Sequence, residues 1–401
     1  MSAAGVLATN TDELEAAVDL GPDEHYVHVG EGTDDVLRYL TRVDGEDKLY
    51  AYVHAREQSV VCVEPRYVRQ AEANFPGDVV REIQPGNTVT DEVRDVVGDD
   101  ARIKLPVTTR VGVVDALRSF AWVSVVDEPD TVWCAKSAAE RTILADIAVG
   151  VQHAMARAET VLARSTVDDG AVQWEGERLT TERLRRQIQT ALADYGLSDE
   201  GNIVIGAGPS CADLHFTGQD TIDPGDTVLI DLGPRGPHGY YGDMTRTFVV
   251  GEPSDWARET YATVEMALEA AFDVLENGAG TSLSELYWAM GEVIESAGYD
   301  VSLHETRDDA IGLYHGTGHG IGVRIHEKPF QTPDSDVRLQ AGTVITVEPG
   351  IYDPATGGVR LEDVVAITAD GYENFMEYPL EIQPTERASP PTFLPEQSGS
   401  L

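Results

Sequence analysis

Two aspartates stand on either side of a tip rich in glycine and proline. Thr227-Val228-Leu229-Ile230 leads into Asp231, and Asp243-Met244-Thr245-Arg246 leads out into Thr247-Phe248-Val249-Val250. Pro234, Gly236, Pro237 and Gly239 supply turn chemistry between them. The stretch reads as a β-hairpin with a roughly eight-residue irregular tip. Closing it brings both carboxylates to one end, facing one space. A core strand tolerates an acid only when something compensates its charge, and two acids together call for a cation. On this stretch alone, a pair of solvated turn aspartates explains the residues equally well.

Segments further along the chain tip that balance. Pro209-Ser210-Cys211-Ala212-Asp213-Leu214-His215 follows a glycine-flanked strand, and His315-Gly316-Thr317-Gly318-His319-Gly320-Ile321-Gly322 is dense in glycine. Such density permits close backbone approach to a ligand. His326-Glu327-Lys328-Pro329 comes next, then Glu348 at the end of a core strand, then Glu362 in Val359-Arg360-Leu361-Glu362-Asp363-Val364. Each has an ordinary explanation alone, such as a satisfied core histidine, a flexible loop, a strand cap or an ion pair. Together they would need several separate excuses, whereas one cation site accounts for all of them.

The ligand set is then Asp231, Asp243, His319, Glu348 and Glu362. Its carboxylates carry too much charge for one divalent ion, and two ions about 3.5–4 Å apart, bridged by carboxylates and a hydroxide, would balance it. Oxygen-rich ligation without a thiolate favours Mn²⁺, with Co²⁺, Fe²⁺ or Zn²⁺ as alternatives, over a structural zinc.

Composition narrows the setting. The 401 residues suffice for two domains, and Lys+Arg 29 against Asp+Glu 70 leaves a net charge of −41. The acids are dispersed rather than gathered in a tail, as suits a surface kept hydrated in concentrated salt, and the expectation is a halophilic cytoplasm. No basic stripe offers nucleic acid or an anionic membrane a partner. Cys62, Cys134 and Cys211 form no CxxC pair and suit a reducing compartment. Met1 to Asn10 lacks signal-peptide character, and no apolar run approaches the ~20 residues needed to span a bilayer.

In chain order, a helix is expected over Thr11–Leu20. Short strands follow at Tyr26–Val29, Leu49–Val53 and Val60–Val63, with helices at Asp34–Thr41 and Arg66–Phe75. Further strands read at Ile103–Val107 and Ala121–Val126, giving a mixed-sheet α/β unit. His25, His28 and His54 show no metal spacing and read as surface or packed histidines. The polar stretch Asp127-Glu128-Pro129-Asp130 marks a boundary. Helices are then expected over Lys136–Arg164, Thr181–Tyr195, Ser254–Asn277 and Ser282–Ser296, in two coarsely similar helix-pair-plus-strand halves (136–250 and 254–370). The last residues, Arg387 to Leu401, are rich in Pro, Ser and Gly and are expected to be disordered.

In this order, the Asp231–Thr247 hairpin, the His315–Gly322 segment, His326-Glu327-Lys328-Pro329, Val347-Glu348-Pro349-Gly350 and Arg360-Leu361-Glu362-Asp363 resemble the pita-bread metallopeptidases. That family holds methionine aminopeptidase, aminopeptidase P, prolidase and creatinase. The resemblance covers residues 131 to 380, and the first domain resembles the creatinase-type N-terminal domain at Asp35-Val36-Leu37-Arg38-Tyr39-Leu40-Thr41. It implies an α/β (α+β) chain with a creatinase-type mixed-sheet domain over 1–127. A pita-bread catalytic domain with pseudo-twofold αβ halves follows over 128–386, and a tail over 387–401.

The resemblance further implies that Asp231 chelates one metal, that Asp243 and Glu362 bridge both, and that His319 and Glu348 complete the other. His215, His315 and His326 would line the pocket and hold the scissile amide, with Tyr241 and Arg360 contacting substrate. Arg360 would either meet a substrate carboxylate or pair with Glu362 or Asp363. Glu348 is the candidate shuttle carrying a proton from the bridging hydroxide to the leaving proline nitrogen. The implied activity is hydrolysis of the Xaa-Pro bond, foremost in dipeptides, by a homodimer acting on small peptides with proline second. Aminopeptidase P, acting on longer peptides, is the near alternative. A non-catalytic peptide-binding module on the same fold would show eroded ligands, and here all five remain. Two departures from the family pattern, a hairpin tip one residue longer than usual and Arg324 ahead of His326, bear on specificity.

Overall fold

The computed structural model describes residues 7–45, 48–55, 58–303 and 311–387, and the chain divides into two compact units, Met1–Trp133 and Cys134–Leu401. In the first unit the apolar runs form a six-stranded mixed sheet. Its order is Val79–Glu82, Gln58–Val63, Tyr50–Ala55, Glu24–Gly30, Arg102–Pro106, Trp122–Val126. The centre is antiparallel and both flanks are parallel. Val27, Val53, Cys62 and Ile103 pack with Val93 and Leu117 of the helices Val89–Val97 and Val111–Arg118. The sequence expectations omit these two helices and the strand Val79–Glu82, although Val89, Val93, Val96 and Val97 stand at helical spacing. The first helix is also announced by its cap, in which Thr88 and Asp91 exchange side-chain and backbone hydrogen bonds. His28 is held by Tyr26 and Asp34, and His54 by Tyr52 and Glu15, so both are packed histidines.

The second unit repeats one plan. The helices Ala138–Ala163 and Thr181–Asp194 precede a three-stranded antiparallel sheet of Ile203–Ala207, Thr227–Leu232 and Thr245–Val249. The helices Asp255–Leu275 and Leu283–Ser296 precede two further sheets. One runs Glu327–Phe330, His319–Gly320, Val344–Val347, Asp363–Ile367, Tyr372–Asn374, and the other Asp300–Val301, Gly312–Leu313, Gly350–Asp353, Gly357–Arg360. Ser137 and Glu140 form a capping box at the start of the 26-residue Ala138–Ala163 helix, and Ser254 caps the start of Asp255–Leu275. That second helix stops before Gly278, whose φ of +66° and close approach to Gly371, 2.4 Å from a built Cβ, leave no room for a side chain. Leu268, Leu275, Leu286 and Ile294 of the second helix pair bury against Ile345, Val347, Val359 and Val365 of the sheets. None of the described helices is long and apolar enough to cross a membrane.

Two differences from expectation have local causes. A small sheet, Thr166–Asp168, Ala171–Trp174 and Glu177–Arg178, lies along the chain between the helices Ala138–Ala163 and Thr181–Asp194. Its two turns, Asp169-Gly170 and Glu175-Gly176, have positive φ at every position, the two-residue hairpin geometry that glycine favours. Arg387, expected to begin a disordered tail, is anchored: its Nε and Nη2 donate to the two carboxylate oxygens of fully buried Glu159 at 2.8 and 2.9 Å. The remainder of that expectation, 388–401, lies outside the described residues.

Lys136 and Glu327 form an ion pair with side-chain exposures of 0% and 1%, and the Arg324 N–H donates to the same carboxylate at 3.2 Å. Burial pushes the Glu327 carboxyl up while Lys136 opposes the shift. Lys136→Met should therefore destabilise the chain by about 3–5 kcal/mol by stranding a buried charge. Adding Glu327→Gln should recover part of that loss, as read by denaturant unfolding.

Candidate active site

Asp231 is flanked on its strand by Val204 on one side and Thr245 on the other. The ladder does not stop at the strand ends. The N–H groups of Leu232, Gly242 and Gly236 donate to the carbonyls of Met244, Pro234 and Tyr240 at 2.8–2.9 Å, and Gly239 closes the turn onto Gly236 with φ +79°. The tip is thus paired nearly to its end rather than irregular over eight residues. A paired tip fixes Asp243 relative to Asp231.

The other candidate ligands are tied to this hairpin and to one another by hydroxyl groups. Thr245 accepts at its carbonyl from the Glu362 N–H (3.1 Å) and donates its hydroxyl to the Glu362 carboxylate at 2.7 Å. Thr346 accepts from the His319 N–H at 3.0 Å and donates to Glu348 Oε1 at 3.2 Å, so one side chain registers two ligands. The His319 Nδ1–H points at the Gly320 carbonyl, 3.0 Å away, which leaves the Nε2 lone pair facing Glu348 Oε1 at 3.3 Å and Asp243 Oδ2 at 3.8 Å. Asp243, His319 and Glu362 are buried and each offers a ligand atom within 4.8 Å of the others.

A cavity of about 270 Å³ takes in all five expected ligands together with His215, His315, His326 and Arg360, and Val204, Leu214 and Ile325 form part of its wall. Two expectations need correction. Tyr241 does not line this cavity: it sits at the tip bridge opposite Arg235, and its N–H is spent on the Gly322 carbonyl. Arg360 pairs with neither Glu362 nor Asp363. It donates to Asp231 Oδ2 at 2.6 Å, to the Tyr352 hydroxyl at 2.9 Å and to Thr245 at 3.2 Å, while Asp363 is taken by Arg246. Asp231 is the acid across the sheet from this segment, which spacing along the chain does not reveal.

Burial governs the electrostatics. Loss of water, then the charges of Glu362, Asp231 and Glu348, hold the Asp243 carboxyl well above the carboxylate range, and burial with Glu348 and Asp231 does the same to Glu362. Burial pushes Glu348 up to about 7, against the pull of Arg360. Burial lowers His315 to about 3 and both His319 and His326 to about 4, so these imidazoles are neutral at pH 7. The Arg360 guanidinium keeps its charge despite desolvation because Tyr352, Asp231 and Glu348 surround it.

Among the described residues no hydrogen-bond donor reaches the Asp243 carboxylate, which is only 4% exposed. A buried acid in that state needs a proton or a cation. The oxygen-rich donor set with one correctly oriented imidazole fits a hard divalent ion.

Three residues that hold the site were not singled out from sequence: Thr245, Thr346 and Tyr352. Two of them had a readable signal. Thr245 lies two residues after Asp243 and Thr346 two before Glu348, so strand alternation puts hydroxyl and ligand on one face. Tyr352 gives no such signal within its own segment. It shares a face with Arg360 only through the Gly350↔Arg360 register.

The fold and this carboxylate–histidine cavity define a metallopeptidase class, and the chain belongs to metallopeptidase family M24, whose profile matches residues 149–369. The chain is similar to the Xaa-Pro dipeptidase of Lactobacillus delbrueckii subsp. lactis, 36% identical over 210 residues, 52% of either chain. It spans about half the length of the curated relatives it matches. Two solved structures share the fold along most of both chains. The Xaa-Pro dipeptidase from Bacillus anthracis has a TM-score of 0.79 at 24% identity, covering 93% of this chain and 98% of that one. The X-Pro aminopeptidase from Thermotoga maritima has a TM-score of 0.76 at 21% identity, covering 92% and 99%.

The raised carboxyls set the sign of a pH effect. In the metal-free fold they keep protons that the unfolded chain releases from about pH 4 upwards, so unfolding releases protons and stability falls as pH rises. For Glu348 the fall extends to about 7. A bound cation replaces those protons. The gap in melting temperature between metal-loaded and chelator-stripped protein should widen across this window, and a gap independent of pH would remove these acids as ligands.

Proposed function

We propose that this chain is a dinuclear metal-dependent peptidase that hydrolyses the Xaa-Pro peptide bond, foremost in dipeptides. The observation that supports it most is the meeting of Asp243, His319 and Glu362 within 4.8 Å, in a cavity that Asp231 and Glu348 also line, on an M24 scaffold. In this reading Asp231 holds one ion, His319 and Glu348 the other, and Asp243 and Glu362 both, with Mn²⁺ ahead of Co²⁺, Fe²⁺ or Zn²⁺. When bound, the ions supply an activated water and a Lewis acid at the scissile carbonyl.

The remaining work falls to the chain's own side chains. Neutral imidazoles can donate a hydrogen bond to a developing oxyanion without adding charge to the ground state. His315 has both ring nitrogens engaged, Nδ1 by the Gly316 carbonyl at 2.6 Å and Nε2 by the Tyr352 hydroxyl at 2.9 Å. The oxyanion role therefore goes to His215 and His326, and His315 braces Tyr352. In this reading Glu348 accepts a proton from the attacking water and passes it to the proline nitrogen, which leaves poorly unless protonated. Val204, Leu214 and Ile325 offer an apolar wall to the substrate.

One observation favours the second reading, aminopeptidase action on longer peptides. Arg360 is the permanently charged cation in the described lining, and three of its five N–H groups are spent on Thr245, Tyr352 and Asp231. A free dipeptide carboxylate would share this buried guanidinium with Asp231, whereas a longer peptide presents an amide there.

The setting proposed is a concentrated-salt cytoplasm, supported by the dispersed −41 charge. The homodimer and the assignment of the N-terminal unit as a creatinase-type domain belong to the same proposal.

Protein purified in molar KCl, stripped of metal and reloaded with Mn²⁺, should be offered an Xaa-Pro dipeptide, an Xaa-Pro-Xaa tripeptide and a Met-Ala peptide. Cleavage of the dipeptide alone identifies a dipeptidase, and tripeptide cleavage moves the assignment to the aminopeptidase. Asp243→Ala should abolish turnover, and Glu348→Gln should lower kcat by about 10²–10⁴-fold. Turnover of none of the three peptides by metal-loaded protein would refute both readings.

A further inference from the structure

The hairpin carrying Asp243 and the segment carrying Glu362 are joined at an isolated backbone bridge, Thr245↔Glu362, rather than by a ladder. A single bridge constrains the spacing of the two carboxylates weakly. Side chains must supply the rest. Alternation along Thr245–Val249 turns Thr245 and Thr247 to one face, where their hydroxyls donate to the Glu362 carboxylate and the Arg360 carbonyl at 2.7 and 3.0 Å. Arg246 therefore points to the other face, where it is 1% exposed.

There its guanidinium works as a clamp. Nη1 donates to the carbonyls of Thr245 and Glu362 at 2.9 and 2.8 Å, and Nη2 donates to Asp363 Oδ1 at 2.7 Å and to the Tyr378 carbonyl at 3.2 Å. Asp363 is itself fixed by Asn374, which donates to its other oxygen at 2.8 Å. Further out, the Tyr378 hydroxyl donates to Glu159 at 2.5 Å, and Glu159 pairs with Arg387. The two carbonyls gripped by Nη1 belong to one residue that is a proposed ligand and to another whose hydroxyl holds that ligand's carboxylate. Planarity is needed for this. A lysine could keep the charge but not span both carbonyls and the carboxylate in one plane.

We propose that Arg246, anchored on Asp363, is a positioning residue for the metal centre: it fixes Glu362 against the Asp243 hairpin without touching metal or substrate. The proposal rests on the dinuclear reading above. It separates the buried network into an inner half that sets ligand spacing and an outer half, Glu159 with Arg387, that only fastens the segment Thr385 to Arg387.

The test titrates Mn²⁺ and Co²⁺ into the stripped full-length chain by calorimetry and records the visible Co²⁺ spectrum. Arg246→Lys and Asp363→Asn should each weaken metal binding by about tenfold or more and alter the Co²⁺ bands. At limiting metal kcat should fall with KM unchanged, and excess metal should restore part of it. Arg387→Gln should lower the melting temperature while leaving metal affinity and spectrum as in the parent. If Arg246→Lys does not fold, Asp363→Asn, which is isosteric, decides alone. Native affinity and spectrum in a folded Arg246→Lys or Asp363→Asn protein would overturn the proposal and make Arg246 a structural tie. Failure of the parent chain itself to bind either ion would instead overturn the dinuclear reading, and this proposal with it.

Discussion

Asp231, Asp243, Glu348 and Glu362 meet in one cavity whose described lining contains a single guanidinium, and the second unit is arranged around that imbalance. The chain carries 70 acidic residues, and most need no partner because water solvates them. These four differ only in where the strands put them. Once water is withdrawn, like charges cannot all ionise side by side, so the acids take up protons or share a cation. The upward displacement of Asp243, Glu348 and Glu362 and the neutrality of His315, His319 and His326 express the same constraint from opposite sides. A site in this state attracts positive charge, and the described lining offers only Arg360 of its own.

The scaffold meets this demand with neutral donors in place of further cations. Thr245, Thr346 and Tyr352 each hold two groups of the site, through hydroxyls that orient carboxylate and imidazole without cancelling their charge. A lysine in any of these places would fill the role reserved for the ion. Strand periodicity makes the arrangement economical, since a residue two positions from a ligand shares its face. The repeated plan of helix pair and sheet then brings the face of one half against that of the other.

How much of this could be read from the chain follows from the range of the forces involved. The meeting of these residues was legible because an acid or histidine at the end of an apolar strand is costly whatever lies opposite, and Asp231, Asp243, His319, Glu348 and Glu362 all reach one cavity. The two helix pairs were legible from their apolar stripes. What lay across sheets was not. Arg360 reads from sequence either as a contact for a substrate carboxylate or as a partner of Glu362 or Asp363, yet its acidic partner is Asp231, 129 residues away in sequence. The resemblance implies that Tyr241 contacts substrate, but the tip bridge sets it opposite Arg235 and outside the described lining of the cavity. Arg387 lay in a stretch whose composition reads as disordered, and its order comes from Glu159, a buried acid 228 positions earlier. Asp169-Gly170 is a failure of another kind, since its turn chemistry was local and readable, and the short strands around it were overlooked.

Arg360 has one more consequence for what the cavity selects. Its three contacts lie on three different strands, Asp231 and Thr245 on the two arms of the hairpin and Tyr352 on the strand paired with its own. A side chain held that way is a fixed charge rather than a mobile one. Its field lowers the repulsion among the carboxylates, and removing it to greet a substrate carboxylate would raise that repulsion as the substrate arrives. An incoming cation does not release it either, because Arg360 takes Oδ2 of Asp231 and leaves Oδ1 for ligation. The guanidinium at the centre of the cavity therefore serves the acids first.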